Sequence, residues 1–234
     1  MSNVVTSESV EARVREIPAV RFAALGQVLP GLGSGGASLA IEGVSYTDDA
    51  EYPQAENGLV GPGYFATLGV EILQGRDFGA QDDASGEPVV IVNQSFVRRH
   101  FPGGDALGRR FRTGTSSSSE PWRTIVGVVP DLQMQGMQDT RADQSGFYVP
   151  IEQSDARFMS ILARGPANPM ELTEAVGKLA QALRHRGEAG LRTTPDMGRF
   201  DATLRAYCIG YLAGRRAEAE PQFLDWGEAT KDDA

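Results

Sequence analysis

The side chains that do most enzymatic work are scarce here. The 234 residues include two histidines and one cysteine. His100 and His185 stand far apart, with no HxxxH or HxH partner, so a metal site would have to be assembled from carboxylates. Cys208 alone excludes an internal disulfide and a multi-cysteine metal cluster. Ser34, in the run PGLGSGG from Pro30 to Gly36, has Leu32 two positions before it where a nucleophile elbow requires glycine. That run has the glycines of a phosphate loop but no lysine after them. Gly177 and Lys178 stand together inside a helical pattern with no glycine loop upstream. The paired carboxylates Asp48/Asp49 and Asp82/Asp83 lack the spaced ligand run of a calcium loop. No catalytic, cofactor-binding or metal-binding residue is expected. A hydrolase would need Asp82, Asp83 and His100 to converge within hydrogen-bond reach.

What the residues offer instead is contact chemistry. Arg98 and Arg99 in RRHF, and Arg109 and Arg110 in GRRF, bring planar donor forks suited to an acidic partner surface. Trp122 at the base of a TSSSS tip, with Met134 and Met137 in the next loop, makes a candidate apolar contact patch. The 22 basic and 31 acidic side chains leave a net charge of -9. The basic groups are dispersed, which excludes nucleic acid as a partner, because binding a phosphate backbone needs clustered positive charge. No apolar run reaches the roughly 20 residues of a membrane span. No export signal is seen at the start. The chain reads as water-soluble: either a cytoplasmic protein or a piece of a larger one whose targeting and membrane segments lie outside it.

The elements that must position these groups follow from periodicity and punctuation. A helix is expected over about 9–17, with Val10, Val14 and Ile17 at helical spacing and Pro18 ending it. Strands are expected over 19–28 and 37–44 around the glycine-rich break, then a loop over 46–56 leading to a strand at 57–60. In GPGYFATLGV, Pro62 and Gly69 bracket a short helix, and VEILQGRDF continues as a strand ending at Gly75. The apolar run Val89–Val92 is a buried strand, Asn93 caps a helix, and Phe101 with Pro102 ends it. Strands over 109–112 and 122–129 flank the TSSSS tip, and Pro130 stops the second. A polar loop over 133–146, an extended FYVPI and a strand over 157–163 come next. Asn168, Pro169 and Glu171 open an amphipathic helix carrying Leu172, Val176, Leu179 and Leu183 on one face. A short strand at 191–194 and a last helix from about Met197 complete the pattern, before an acidic tail. Two β-rich halves flank a middle block over about 79–146, which suggests an insertion.

Four segments in this order, LVGPGYFATLGVEILQGRDF, PVVIVNQSFVRRHFPGGDALGRRF, WRTIVGVVPDL and FYVPI, followed by a strand and an amphipathic helix, carry a resemblance. Over about 11–200 the chain resembles the MacB-like periplasmic core domain of ABC transporter permeases, in the MacB and FtsX-like group. The resemblance implies an α+β fold in two subdomains. A porter-like subdomain would be formed by 9–78 and 147–200, with a mainly β subdomain, 79–146, inserted in it and 201–234 outside the match. It implies a place between two transmembrane helices on the extracytoplasmic side, with ATP hydrolysed on a separate cytoplasmic domain. The role implied is non-enzymatic: passing conformational change and touching partners during export. Those partners would be the rest of the permease, its ATPase, a periplasmic adaptor and, in the full transporter, a second copy. The alternative is a small-molecule-binding domain with a cleft between subdomains near PGLGSGG or the Met134 loop. After Leu204, where a second anchor would begin, the chain stays polar.

Overall fold

A computed structural model describes residues 12–31, 34–135, 144–154, 160–165 and 175–178, with the backbone of 205–210 and 222–224. It is an α+β protein that divides into two compact units: residues 1–27, 66–68 and 155–234 in one, and 28–65 with 69–154 in the other. Among the described residues no helix is long and apolar enough to cross a membrane.

The second unit is built on seven strands: β2 (Gly35–Ile41), β3 (Gln54–Val60), β4 (Gln74–Gly75), β5 (Val89–Asn93), β6 (Arg110–Thr113), β7 (Arg123–Val129) and β8 (Gly146–Pro150). Six of them close on themselves in the order β3-β2-β6-β7-β5-β8 and back to β3. Two pairings, β5 with β7 and β3 with β8, are parallel, and the other four are antiparallel. Closure leaves these six strands no open edge, which removes the usual site of unwanted pairing.

The ring's interior follows from alternation. Leu39 and Ile41, Ala55 and Leu59, Val90 and Val92, Phe147 and Val149 each lie two or four apart and share one core. On β7 the spacing slips, with both Ile125 and Val128 inside, because an irregularity between Val90 and Ile91 opposes Ile125 and then Gly127. The helix α2 (Gln94–His100) adds Phe96, whose ring lies 5.0 Å from Phe111 and 6.4 Å from Phe147. Strand β5 is buried throughout. Outside the ring, Tyr148 of β8 meets Phe65 edge-on at 5.0 Å, and the Tyr64 hydroxyl donates to the Val28 carbonyl at 2.9 Å.

In the first unit, β1 (Phe22–Gly26) pairs antiparallel with β9 (Ser160–Gly165). Strand β9 pairs in parallel with β10 (Arg205–Gly210), which is antiparallel to β11 (Gln222–Leu224). The short helix α1 (Tyr64–Leu68) spans the division, with Tyr64 and Phe65 in one unit and 66–68 in the other.

Several expectations meet these elements closely. The helix after Asn93, the short helix before Gly69 and the strand before Pro130 all stand where the pattern puts them. Others shift for identifiable reasons. Strand β3 begins three residues before the expected Asn57, because Gln54 and Ala55 pair with Ser38 and Ala37 of β2. The strand expected through VEILQG shrinks to β4, which meets β7 only at Val128 and Gly127. The helix expected from Met197 onward is corrected over 205–210. That backbone is extended and finds its hydrogen bonds on β9, where local pattern carries no sign of the partner. The contact division falls at 27/28 and 154/155, whereas the pattern break suggested 79 and 146. Strands β2 and β3 precede residue 79 but belong to the same ring as β5 to β8. The expected strand at 191–194 and most of the helix from Asn168 lie outside the described residues.

Candidate partner-contact surface

A residue engaged in the fold is not available to a ligand, and much of the four motifs is so engaged. In GRDF, Gly75 adopts a φ of 73°, and a Cβ there would meet the Val126 carbonyl oxygen at 2.1 Å. Only glycine fits this turn out of β4. Arg76 then grips Asp82 with both terminal nitrogens, at 2.6 and 2.8 Å, and the Gly79 N–H donates to the same carboxylate at 2.8 Å. Burial pushes the Asp82 carboxyl up, but Arg76 and the Gly79 amide outweigh it and hold it below the usual value. Asp77 goes the other way: burial raises it against hydrogen bonds from the Phe78 and Gly63 amides. Asp83 is exposed and accepts from the Ser85 hydroxyl and from the Ser85 and Gly86 amides at 2.7–2.9 Å. Asp82 and Asp83 thus close local turns.

The second and third motifs lock together in the same way. Asn93 is buried. Its Oδ1 accepts from the Phe96 amide at 2.9 Å, capping α2, and from the Gly146 amide at 3.0 Å, while Nδ2 donates to the Gln144 carbonyl. Asp131, from VVPDL, accepts from the Ser95 amide and hydroxyl at 2.7 and 2.8 Å and from Arg98 at 2.8 Å. Arg98 is therefore exposed but ion-paired, Arg109 pairs with Asp105 one helical spacing away, and Arg110 pairs with Glu42. Arg99 is exposed on α2. His100 is half-buried, its ring 4.5 Å from Phe96 and its Nε2 3.5 Å from the Ser145 hydroxyl. Burial, reinforced by the neighbouring Arg99 charge, pushes it down to about 4. The carboxylates a hydrolase would need are thus engaged in Asp82–Arg76 and in the Asp83 turn, and the hydrogen-bond neighbour of His100 is a serine.

Of the expected contact residues, Trp122 is 37% exposed and lies just before β7. The Arg112 guanidinium sits 5.2 Å from its ring centroid. Arg112 also donates to the Ser118 carbonyl at 2.9 Å, and its Nε is buried with no hydrogen-bond partner. The β6–β7 tip is fastened at Ser116, which donates to Asp49 at 3.0 Å, and at Ser118, which donates to the Thr113 carbonyl at 2.6 Å. Met134 must be corrected as a surface residue, being only 3% exposed. It fills a slot made by two glycines, since a Cβ on Gly146 would meet its Sδ at 2.3 Å and one on Gly58 its Cε at 3.5 Å. Met137 lies outside the described residues. The Gly31 amide donates to the Gln133 carbonyl at 2.6 Å, so the start of the glycine-rich break lies beside the segment leading to Met134.

Sequence reasoning missed Arg112, Arg123 and Gln153. Arg123 is 6% exposed, and burial lowers its pKa against the opposing pull of Glu120. It donates to the side-chain oxygen of Gln153 at 3.1 Å and to its carbonyl at 3.3 Å. The same Gln153 accepts from the Val89 amide and donates to the Asp83 and Glu87 carbonyls. These five bonds close one end of the ring with no carboxylate. The alternation of β7 was the only available sign that Arg123 points inward, and a charged residue at an inward position reads locally as a break in the pattern.

The motifs named above thus supply latches within an α+β fold. The sequence profile of the MacB-like periplasmic core domain matches residues 2–179, and the chain belongs to that family. The family is a periplasmic domain of ABC transporter permeases rather than a catalytic domain, which places this chain on the extracytoplasmic side of the membrane as a domain of a permease. Among solved structures, the periplasmic region of MacB from Actinobacillus actinomycetemcomitans is similar, with a TM-score of 0.53 at 16% identity over 79% of this chain and 76% of that one. A domain of a permease protein from Porphyromonas gingivalis gives a TM-score of 0.49 at 22% identity, covering 87% of this chain and 88% of that one. The extracellular domain of the ABC-type transporter YknZ from Gram-positive bacteria gives 0.48 at 13% identity, covering 78% and 84%. No curated protein matches the chain.

Proposed function

We propose that this chain passes conformational change and makes partner contacts during export, as the water-exposed part of an ABC permease whose ATP hydrolysis takes place on a separate domain. In this reading a porter-like subdomain carries both chain ends and receives a mainly β subdomain as an insertion. The observation that carries it is the closed ring of six strands, because a packed core behind a ladder without an open edge moves as one body instead of deforming. Trp122 with Arg112, and Arg98 with Arg99, are the contact residues. Tryptophan and arginine are the types that dominate protein interfaces, and Trp122 combines an exposed ring with a cation already stacked on it. A periplasmic adaptor and a second copy of the permease are the proposed partners at these positions.

The test uses the whole permease with its ATPase in lipid vesicles. Spin labels at Ser116 and Glu71, both in the ring-containing unit, should keep their separation through the ATP cycle. A label at Ser116 and one in a membrane helix should change theirs by more than about 5 Å. Two constant separations would sink the proposal.

A further inference from the structure

Charge is divided unevenly between the units. By sequence, the unit formed from 1–27, 66–68 and 155–234 holds 14 basic and 15 acidic residues, while 28–65 with 69–154 holds 8 and 16. Among the described side chains of the first unit, Arg13, Arg15, Arg21, Arg164 and Lys178 stand against Glu16 alone.

Two of these cations, Arg21 and Arg164, meet at one ring, that of Phe22. Phe22 and Arg164 are opposite each other in the β1–β9 ladder. The Arg164 guanidinium lies 4.3 Å from the Phe22 centroid, and that of Arg21 lies 5.7 Å from it. Arg164 also donates to the Ala66 carbonyl at 2.7 Å, which fixes its approach, while Arg15 reaches back to the Ala23 carbonyl at 3.0 Å. Arg21 is exposed and Phe22 half-buried. Two guanidinium groups beside a partly exposed phenyl ring combine phosphate-binding forks with an apolar group of the kind that buries at the boundary between lipid headgroups and acyl chains.

We propose that Arg21, Phe22 and Arg164 form a docking patch for the anionic phospholipid surface of the membrane that holds the permease. The inference rests on the reading above, in which this chain is the water-exposed part of a membrane-held permease. Charge complementarity selects the occupant: a chain of net charge -9 is repelled by a negative surface except where its cations gather. Each arginine near such a surface strengthens binding by about 1 kcal/mol, or about fivefold.

The test is co-sedimentation of the full chain with vesicles of phosphatidylcholine containing roughly one third phosphatidylglycerol, in about 0.1 M salt. The chain should pellet with these and not with pure phosphatidylcholine, and should be released at about 0.5 M salt. Arg21→Glu should reduce the bound fraction at least fivefold, and Phe22→Ala should reduce it too, each with an unchanged thermal midpoint. Arg109→Glu alters net charge equally but lies on the other unit, and should bind as the parent does. Four results would overturn the proposal: no pelleting with anionic vesicles, equal pelleting with neutral ones, an equal loss in Arg109→Glu, or displacement by inorganic phosphate, which would mark a free-anion site. Vesicle binding reads the patch alone, and the spin-label distances read the permease role, so either can fail without the other.

Discussion

At the scale of single residues, the titratable groups serve stability. Asp82 is the clearest case, because its carboxylate is almost wholly buried and accepts from Arg76 and the Gly79 amide. Asp82→Ala leaves the half-buried Gly79 amide unpaired, whereas Arg76 is exposed enough to turn to water. The expected cost is about 2 kcal/mol at pH 7, read as a lower urea midpoint. The folded value of Asp82 lies below its ordinary 3.8, so its stabilisation is present above that pH and is lost as pH falls through the folded value. The gap between parent and variant should therefore close in acid. His100 has its window elsewhere. Its folded value is about 4 against 6.5 ordinarily, so the unfolded chain takes up the proton first. The stability that neutral His100 protects is complete above pH 6.5 and drains away as the pH falls towards 4. With a discount for the part of the ring that water screens, the parent should lose about 2 kcal/mol more than His100→Gln between pH 7 and 4. Equal slopes for the two proteins would show that His100 is not desolvated in the fold.

At the scale of elements, what could be read from sequence was whatever leaves a local mark. The cap at Asn93, the stop at Pro130 and the αL residue Gly69 each act on their immediate neighbours, and those helix and strand ends stand as expected. Ring closure leaves no such mark. Gly58 and Tyr148 pair across β3 and β8 although 90 positions separate them, and nothing near either residue announces the other. The same reason hid Met134: a thioether in a polar loop looks exposed until Gly58 and Gly146 are seen to make its slot. Glycines therefore separate structural need from composition. Gly75→Ala puts a Cβ against the Val126 carbonyl at a φ of 73°, and should cost about 3 kcal/mol and weaken the pairing of β4 with β7. Gly36→Ala, with nothing within 4 Å, should be neutral or stabilise by up to about 1 kcal/mol. Urea midpoints of the two variants should diverge; equal midpoints would mean that the turn out of β4 is not strained as described.

At the scale of the whole molecule, the order of the chain and the order of the ring can be compared directly. All six ring strands fall between Gly35 and Pro150, and every buried residue of the ring's core falls between Leu39 and Val149. The latches Arg76–Asp82, Asn93–Gly146 and Ser95–Asp131 also begin and end inside this stretch, and Arg123–Gln153 ends just past it in the same unit. A segment that contains both its core and the polar groups satisfying that core has what a folding unit of about 100–150 residues requires. A polypeptide of residues 28–154 should accordingly give a β-rich circular dichroism spectrum and one cooperative urea transition, with a slope of about 1–2 kcal/mol per molar. Phe96→Ala empties the centre of the ring, where Phe96 meets Phe111 and Phe147, and should remove about 3–5 kcal/mol, enough to unfold a marginal domain. A gradual, non-cooperative transition in the parent segment would mean that the ring is not an independent body. The proposed transmission of motion by a rigid insertion would then lose its mechanical basis, because a unit that cannot hold its own shape cannot carry a displacement to a partner.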